Sequence, residues 1–182
     1  DTPSTQLSIS KLPDGANGWY ITNPTISLDS WDLSEMGLNI YYDLKDGLGS
    51  KKYTLGASLT IPDGVRTVEY FGIDGFGYRE FELTYTFMVD GSDPIAPVIT
   101  YPGSIATSTI LTVQWEASED LPSGIIGYLV ELCGASGALI ESAMVGGTST
   151  EHTFASALVN GATYSVNVTA IDTAGNMAKS QQ

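Results

Sequence analysis

Apolar residues recur at every second position along most of this chain. Leu7 and Ile9 alternate with small polar residues toward Lys11, Ile26 and Leu28 follow, and Ile40 and Tyr42 come next. Val68, Tyr70 and Phe71 lead into Ile73. Phe81, Leu83, Tyr85 and Phe87 make the most regular series, with Glu82, Thr84 and Thr86 between them. A period of two puts one face of a strand in a core and the other in water. The Phe81 series is therefore expected to bury its aromatic face. After residue 100 the pattern restarts with Leu111, Val113 and Trp115, then Tyr128, Val130 and Leu132, then Tyr164, Val166, Val168 and Ala170 before Ile171.

Turn signals separate these runs: Pro13-Asp14-Gly15, Asn17-Gly18, Asp46-Gly47, Pro62-Asp63-Gly64 and Asp74-Gly75. No helix start is followed by a 3.6-residue stripe. Short strands with frequent turns predict an all-β fold of the sandwich type. The segment from Asp90 to Pro97 breaks the pattern with Gly91, Pro94 and Pro97. It reads as a semi-rigid linker over 91–97 between a domain at 1–90 and a domain at 98–182.

A repeat supports that division. Val68-Glu-Tyr-Phe-Gly-Ile-Asp74-Gly-Phe-Gly77-Tyr aligns without gaps on Val166-Asn-Val-Thr-Ala-Ile-Asp172-Thr-Ala-Gly175-Asn. A fainter echo precedes it, where Asp32 to Gly37 and Tyr41 match Asp120 to Gly124 and Tyr128 with one residue of slack. Each half thus carries an early acidic turn and a late D-x-x-G turn in the same order.

Composition narrows the function. The 182 residues include 20 Gly and carry a formal charge of −14 from 21 acids and 7 bases. Six of the bases (Lys11, Lys45, Lys51, Lys52, Arg66 and Arg79) precede residue 91, and only Lys179 follows it. Such a surface cannot neutralise phosphates, which excludes nucleic acid and anionic membrane surfaces as partners. Acidity does suit divalent cations. The single cysteine, Cys133, precludes an internal disulfide. No apolar run of about 18 residues is present, so no insertion into a membrane by this segment is expected. No signal peptide is visible, and the start at Asp1 reads as that of a processed or excised segment.

The second half resembles a fibronectin type III domain over about residues 94–180. The resemblance rests on Trp115, on Leu158 and Tyr164 flanking Asn160-Gly161, and on Tyr-x-Val-x-Val-x-Ala before Asp172-Thr-Ala-Gly-Asn176. The opening Asp93-Pro-Ile-Ala-Pro97 adds to it. It implies that Trp115 is the core tryptophan and Tyr164 the corner tyrosine. The first half is similar to bacterial and archaeal immunoglobulin-like repeats that begin Asn-Gly-Trp-Tyr, here Asn17 to Tyr20, and continue through a Thr-Val-Glu-Tyr strand, here Thr67 to Tyr70. It departs from them in Ser34-Glu-Met-Gly37 and in Asp74-Gly-Phe-Gly77-Tyr. Such modules imply an extracellular or cell-surface location and a mechanical role.

Candidate chemistry is sparse. His152, the only histidine, is expected on an exposed strand, and no Gly-x-Ser-x-Gly elbow accompanies it. One His and one Cys do not make a zinc site. Paired carboxylates of a glycosidase would have to come from Asp29, Asp32 and Glu35 or from Glu116, Glu119 and Asp120, all assigned to turns. The same acids suit calcium: Asp29, Asp32 and Glu35 are spaced to converge, Asp74 is expected at the same end, Asp90 and Asp93 are expected to complete a site between the domains, and Asp120 and Asp172 are further candidate ligands. The plainer reading makes them solvated or turn-holding acids. Thirteen of the eighteen aromatics precede residue 91. Trp19, Tyr20, Trp31, Phe76 and Tyr78 fall in or near turns, where rings either bind sugars or pack against a neighbour. Asn167-Val-Thr169 is a glycosylation sequon on an expected outward face. Residues 1–6 form either a linker or a strand donated to a neighbouring subunit.

Two tandem immunoglobulin-like or fibronectin type III-like sandwiches are thus expected, with no catalytic site and calcium as the only candidate cofactor. The leading functional expectation is a structural unit of a filament, S-layer, stalk or adhesin, partnered by neighbouring copies or domains. Glycan or surface binding, alone or as an accessory of a secreted glycan-active enzyme, is the alternative.

Overall fold

The structure is a computed structural model that describes residues 2–33, 37–104, 106 and 108–180. It divides into two compact units, Asp1–Gly91 and Ser92–Gln182. Among the described residues, unit 1 holds seven strands: β1 (Ser4–Ile9), β2 (Thr25–Trp31), β3 (Asn39–Asp43), β4 (Lys51–Lys52), β5 (Leu59–Thr60), β6 (Gly64–Ile73) and β7 (Leu83–Val89). Unit 2 holds seven more: β8 (Ile99–Tyr101), β9 (Thr112–Trp115), β10 (Ile125–Gly134), β11 (Leu139–Gly146), β12 (Glu151–Thr153), β13 (Tyr164–Asp172) and β14 (Met177–Lys179). The described residues contain no helix beyond the 3-10 turn Ala16–Gly18, and no helix long and apolar enough to cross a membrane.

The two units follow one plan, strand for strand. Unit 1 pairs its strands as β1-β2-β5 and β4-β3-β6-β7, and unit 2 as β8-β9-β12 and β11-β10-β13-β14. Adding seven to each strand of the first set gives the second. All named pairings are antiparallel. The gapless repeat therefore has a structural meaning: it is the pair β6 and β13 with the turns that follow them. Gly77 (φ 90°) and Gly175 (φ 101°) occupy the same left-handed position of those turns, which explains why D-x-x-G ends in glycine in both copies.

Period-two burial builds each core between its two sheets. In unit 2, Val113 and Trp115 of β9 meet Tyr128, Val130 and Leu132 of β10 and Val168 and Ala170 of β13, with Leu111 and Phe154 closing the cluster. Trp115 and Tyr128 pack with ring centroids 5.4 Å apart. The hydroxyl of the buried Tyr128 accepts the N–H of Ser118 at 2.8 Å. Tyr164 accepts the N–H of Val159, five residues upstream, at 2.8 Å, the geometry of a corner tyrosine. In unit 1, Ile26 of β2 and Val68 of β6 join Tyr20, Ile61, Phe87 and Val89, and Leu28, Ile40 and Tyr53 extend the core.

Unit 1 closes where its sheets nearly touch at Gly72. A Cβ there would lie 2.9 Å from Thr5 Oγ1, 3.0 Å from Ser30 Oγ and 3.1 Å from Glu80 Oε1. The Glu80 carboxylate accepts the N–H of Thr5 at 3.0 Å and that of Gly72 at 2.5 Å, so one side chain ties β1 of one sheet to β6 of the other. Near the chain start, Asp14 accepts Lys11 Nζ at 2.8 Å, the hydroxyl of Thr22 and the N–H of Ile21. The Lys11 ammonium, helped by Thr22, holds the Asp14 carboxyl well below the usual carboxylate range.

Several expectations change. Residues 4–6 belong to β1 and pair with β2 of their own sheet, Ser4 opposite Trp31. The Phe81 series buries only its end: Phe87 is buried, whereas Leu83 and Tyr85 are exposed and Phe81 is 95% exposed. β7 is the edge of a four-stranded sheet facing one of three strands, so its first half overhangs the core. His152 is half-buried rather than exposed, edge-on to Phe154 at 5.0 Å. Within the segment 91–97, Ile95 donates its N–H to Glu119 O, and Pro94 and Pro97 are buried.

Two measurements check this account. Glu80→Ala leaves the N–H groups of Thr5 and Gly72 without their acceptor and should cost about 1–3 kcal/mol in denaturant unfolding. Glu141 on β11 accepts the N–H groups of Ala155 (2.9 Å) and Ser156 (2.7 Å), which holds its carboxyl below its ordinary value of 4.5. A carboxyl lowered in the folded state adds stability that is full above its unfolded pKa and is lost as the pH falls through the folded one. Glu141→Gln should therefore flatten part of the fall in unfolding temperature between roughly pH 5 and pH 2, and leave the slope above pH 6 unchanged.

Candidate functional site

Within each unit, two connections meet at one end of its sandwich: β2–β3 with β6–β7 in unit 1, and β9–β10 with β13–β14 in unit 2. Register dictates this. Asn39 at the start of β3 pairs with Ile73 at the end of β6, and Ile125 at the start of β10 pairs with Asp172 at the end of β13. The loop entering one strand must therefore lie beside the turn leaving the other.

In unit 2 this end is densely satisfied. Asp172 is 1% exposed. Its Oδ1 accepts the N–H groups of Gly175 (2.6 Å) and Asn176 (2.8 Å), and its Oδ2 accepts the Asn176 side-chain amide at 2.8 Å. Asp120 Oδ2 accepts the Ser123 hydroxyl at 3.1 Å and the Gly124 N–H at 3.0 Å. Thr173 donates its N–H and hydroxyl to Gly124 O, and Ala174 N–H reaches Ser123 Oγ. Carboxylate oxygens of Asp120 and Asp172 lie within 4.8 Å of each other.

In unit 1 the same turn is built differently. Asp74 is 4% exposed. Its Oδ1 accepts the N–H groups of Phe76 (2.9 Å) and Tyr78 (2.8 Å). Its Oδ2 is buried and has no hydrogen-bond partner among the described residues. Tyr78 stands at the aligned position of Asn176, and no side-chain amide reaches Oδ2 there. The loop before β3 touches this turn by backbone alone: a Cβ on Gly37 would lie 3.8 Å from Gly75 Cα. Asp32 precedes that contact, with its Oδ1 shut off from solvent.

The remaining predicted site residues separate. Asp29 sits within β2 on its exposed side and accepts the N–H of Ser30, so it is a strand residue rather than a turn acid. Glu35 lies outside the described residues. Asp90 is buried and its N–H donates to Tyr20 O, while Asp93, Glu116 and Glu119 are exposed. Trp19 and Tyr20 are buried and present no ring face to a ligand. Trp31, Phe76 and Tyr78 are exposed. Asn167 pairs with Glu131 on the outer face of its sheet, as its alternation with Val166 and Val168 predicts, but it is only 7% exposed there, on a strand flanked by β10 and β14. Cys133 is free and buried. An open groove of about 370 Å³ in unit 1 is lined by Leu38, Asn39, Ile40, Lys52, Tyr53, Thr54 and Leu55.

Sequence reasoning passed over Glu80 and Ser123. Glu80 lies in no motif and Ser123 entered only as one letter of the Asp120–Gly124 echo, and each acts on a backbone group distant in the chain, Thr5 and Ala174 respectively. The Tyr78-for-Asn176 exchange was visible in the repeat, but its consequence needs the orientation of both carboxylates.

The family model for the fibronectin type III domain matches residues 102–182. No curated protein matches the chain. Among solved structures, the chain is similar to the chicken CNTN1 FN1–FN3 domains, at 14% identity and a TM-score of 0.43, with 96% of this chain and 62% of that one covered. It is also similar to the fibronectin(III)-like modules of Clostridium thermocellum CbhA, at 16% identity and a TM-score of 0.44, with 96% of this chain and 92% of that one covered. The chain thus spans less than two thirds of the CNTN1 chain.

The contrast between the turns predicts a stability effect. Asn176→Ala removes the donor to Asp172 Oδ2 and should destabilise the chain by about 1–3 kcal/mol in chemical denaturation.

Proposed function

We propose that this chain is a non-catalytic structural unit of an extracellular or cell-surface assembly, serving as a spacer between neighbouring domains or copies of a longer surface protein. The observation that carries this reading is the strand-for-strand duplication of one seven-stranded plan. In both copies one oxygen of the end-turn carboxylate holds two backbone N–H groups, a role in shaping the turn. Repeating modules that bury their own cores give length without chemistry. The fibronectin type III match over residues 102–182 agrees with that role. The charge of −14 favours solubility and disfavours nucleic-acid partners.

A second reading has a specific observation in its favour. Trp31 ends β2, Phe76 and Tyr78 sit on the turn after β6, and all three rings are exposed at the same end of unit 1. Such rings suit stacking on sugars or on a neighbouring subunit.

Antibodies raised against the chain should label intact, unpermeabilised cells of the producing organism. Labelling that appears only after permeabilisation would reject the surface assignment. Retention on a glycan array that is lost in Trp31→Ala and Tyr78→Ala would replace the spacer reading with the binding one.

A further inference from the structure

The turn after β6 poses a physical problem that its copy after β13 does not. Both turns bury an aspartate, and both use Oδ1 to hold two backbone N–H groups. In unit 2 the second oxygen is completed by Asn176. In unit 1 the residue there is Tyr78, and Asp74 Oδ2 is left buried with no hydrogen bond among the described residues. A carboxylate oxygen removed from water without a partner is strongly unfavourable. No cationic side chain relieves it. Arg79, next in sequence to Tyr78, stacks on Phe71 at 3.8 Å and pairs with Glu82, and Asp74 takes part in none of the ion pairs among the described residues.

A second carboxylate approaches the same end. Asp32 leaves β2 as Asp74 leaves β6, and Ser30 and Gly72, two residues before each, face one another across the sandwich. The loop that Asp32 begins returns to touch Gly75 at Gly37. In unit 2 the residues at the equivalent places, Asp120 and Asp172, bring carboxylate oxygens within 4.8 Å. Hard carboxylate oxygens from two neighbouring turns match the preference of calcium for oxygen ligands in a flexible geometry.

We propose that unit 1 binds one calcium ion at this end, through Asp74 Oδ2 and the carboxylate of Asp32, and that the ion takes the place that the Asn176 side chain fills in unit 2. The ion then ties the β2–β3 connection to the β6–β7 turn. The proposal rests on one turn and its copy, and is independent of the role proposed above.

Calcium titrated into the metal-stripped chain should bind by calorimetry and raise the unfolding temperature over that in chelator, because a ligand of the native state stabilises it by mass action. Asp74→Asn and Asp32→Asn should each weaken that binding at least about tenfold. Tyr78→Asn gives a test that does not depend on damaging the turn. It supplies the amide that unit 2 already has, so it should raise the unfolding temperature in chelator and shrink the calcium-induced rise. Absence of any calcium effect on the unsubstituted chain overturns the proposal. So does a calcium effect of full size in Asp74→Asn and Tyr78→Asn alike, which would place the ion elsewhere.

Discussion

A carboxylate withdrawn from water is costly unless its oxygens find partners, and two such groups, Asp74 and Asp172, organise the acidic end of each unit. Asp74 and Asp172 terminate the long central strands β6 and β13. Each folds the following turn around one oxygen by accepting two backbone N–H groups. This fixes where the chain leaves the central strand and which loop it meets. The β3–β6 and β10–β13 registers then bring the acidic connection before β3 or β10 alongside. The sandwich cores hold these strands in place, but the buried aspartates decide the shape of the ends.

The two copies diverged in how far they provide those partners. Unit 2 is self-sufficient: Asn176 completes Asp172, while Ser123, Gly124 and Thr173 lace loop to turn. Unit 1 spends its polar side chains elsewhere. Glu80 bridges β1 and β6, Arg79 covers the stacked pair of Phe71 and Tyr41, and Tyr78 turns its ring to solvent. One plan therefore yields a closed end in unit 2 and, in unit 1, an end with an incomplete carboxylate and exposed rings. A repeated module keeps its fold while its ends specialise, because core positions and end-turn positions are separate residues of the same strands.

The alternating pattern was enough to read an all-β fold, and the D-x-x-G repeat was enough to read two copies of one plan. Period-two burial and a left-handed glycine are local properties of a strand and its turn. Trp115 lies in the core and Tyr164 bonds back to Val159, as the resemblance of the second half implied. The errors arose where a side chain's surroundings come from distant strands. Leu83 and Tyr85 have the right spacing for a core but lie on an overhanging edge, and Asn167 has the right spacing for solvent but lies on a central strand.

The candidate site divides in the same way. The sequence by itself determined which residues could hold a turn or a cation, since oxygen donors beside glycine are visible as letters. It determined as well that Asp74 and Asp172 are counterparts. Only the tertiary structure decided that Asp29 is exposed within β2, that Trp19 and Tyr20 are interior, and that one oxygen of Asp74 is buried without a hydrogen-bond partner among the described residues. The physical reason is that hydrogen-bond satisfaction depends on which groups a fold brings within about 3 Å. Some of those groups, such as Glu80 and Thr5 or Ser123 and Ala174, are tens of residues apart, and even a near one such as Asn176 acts only through the orientation that the folded turn gives it.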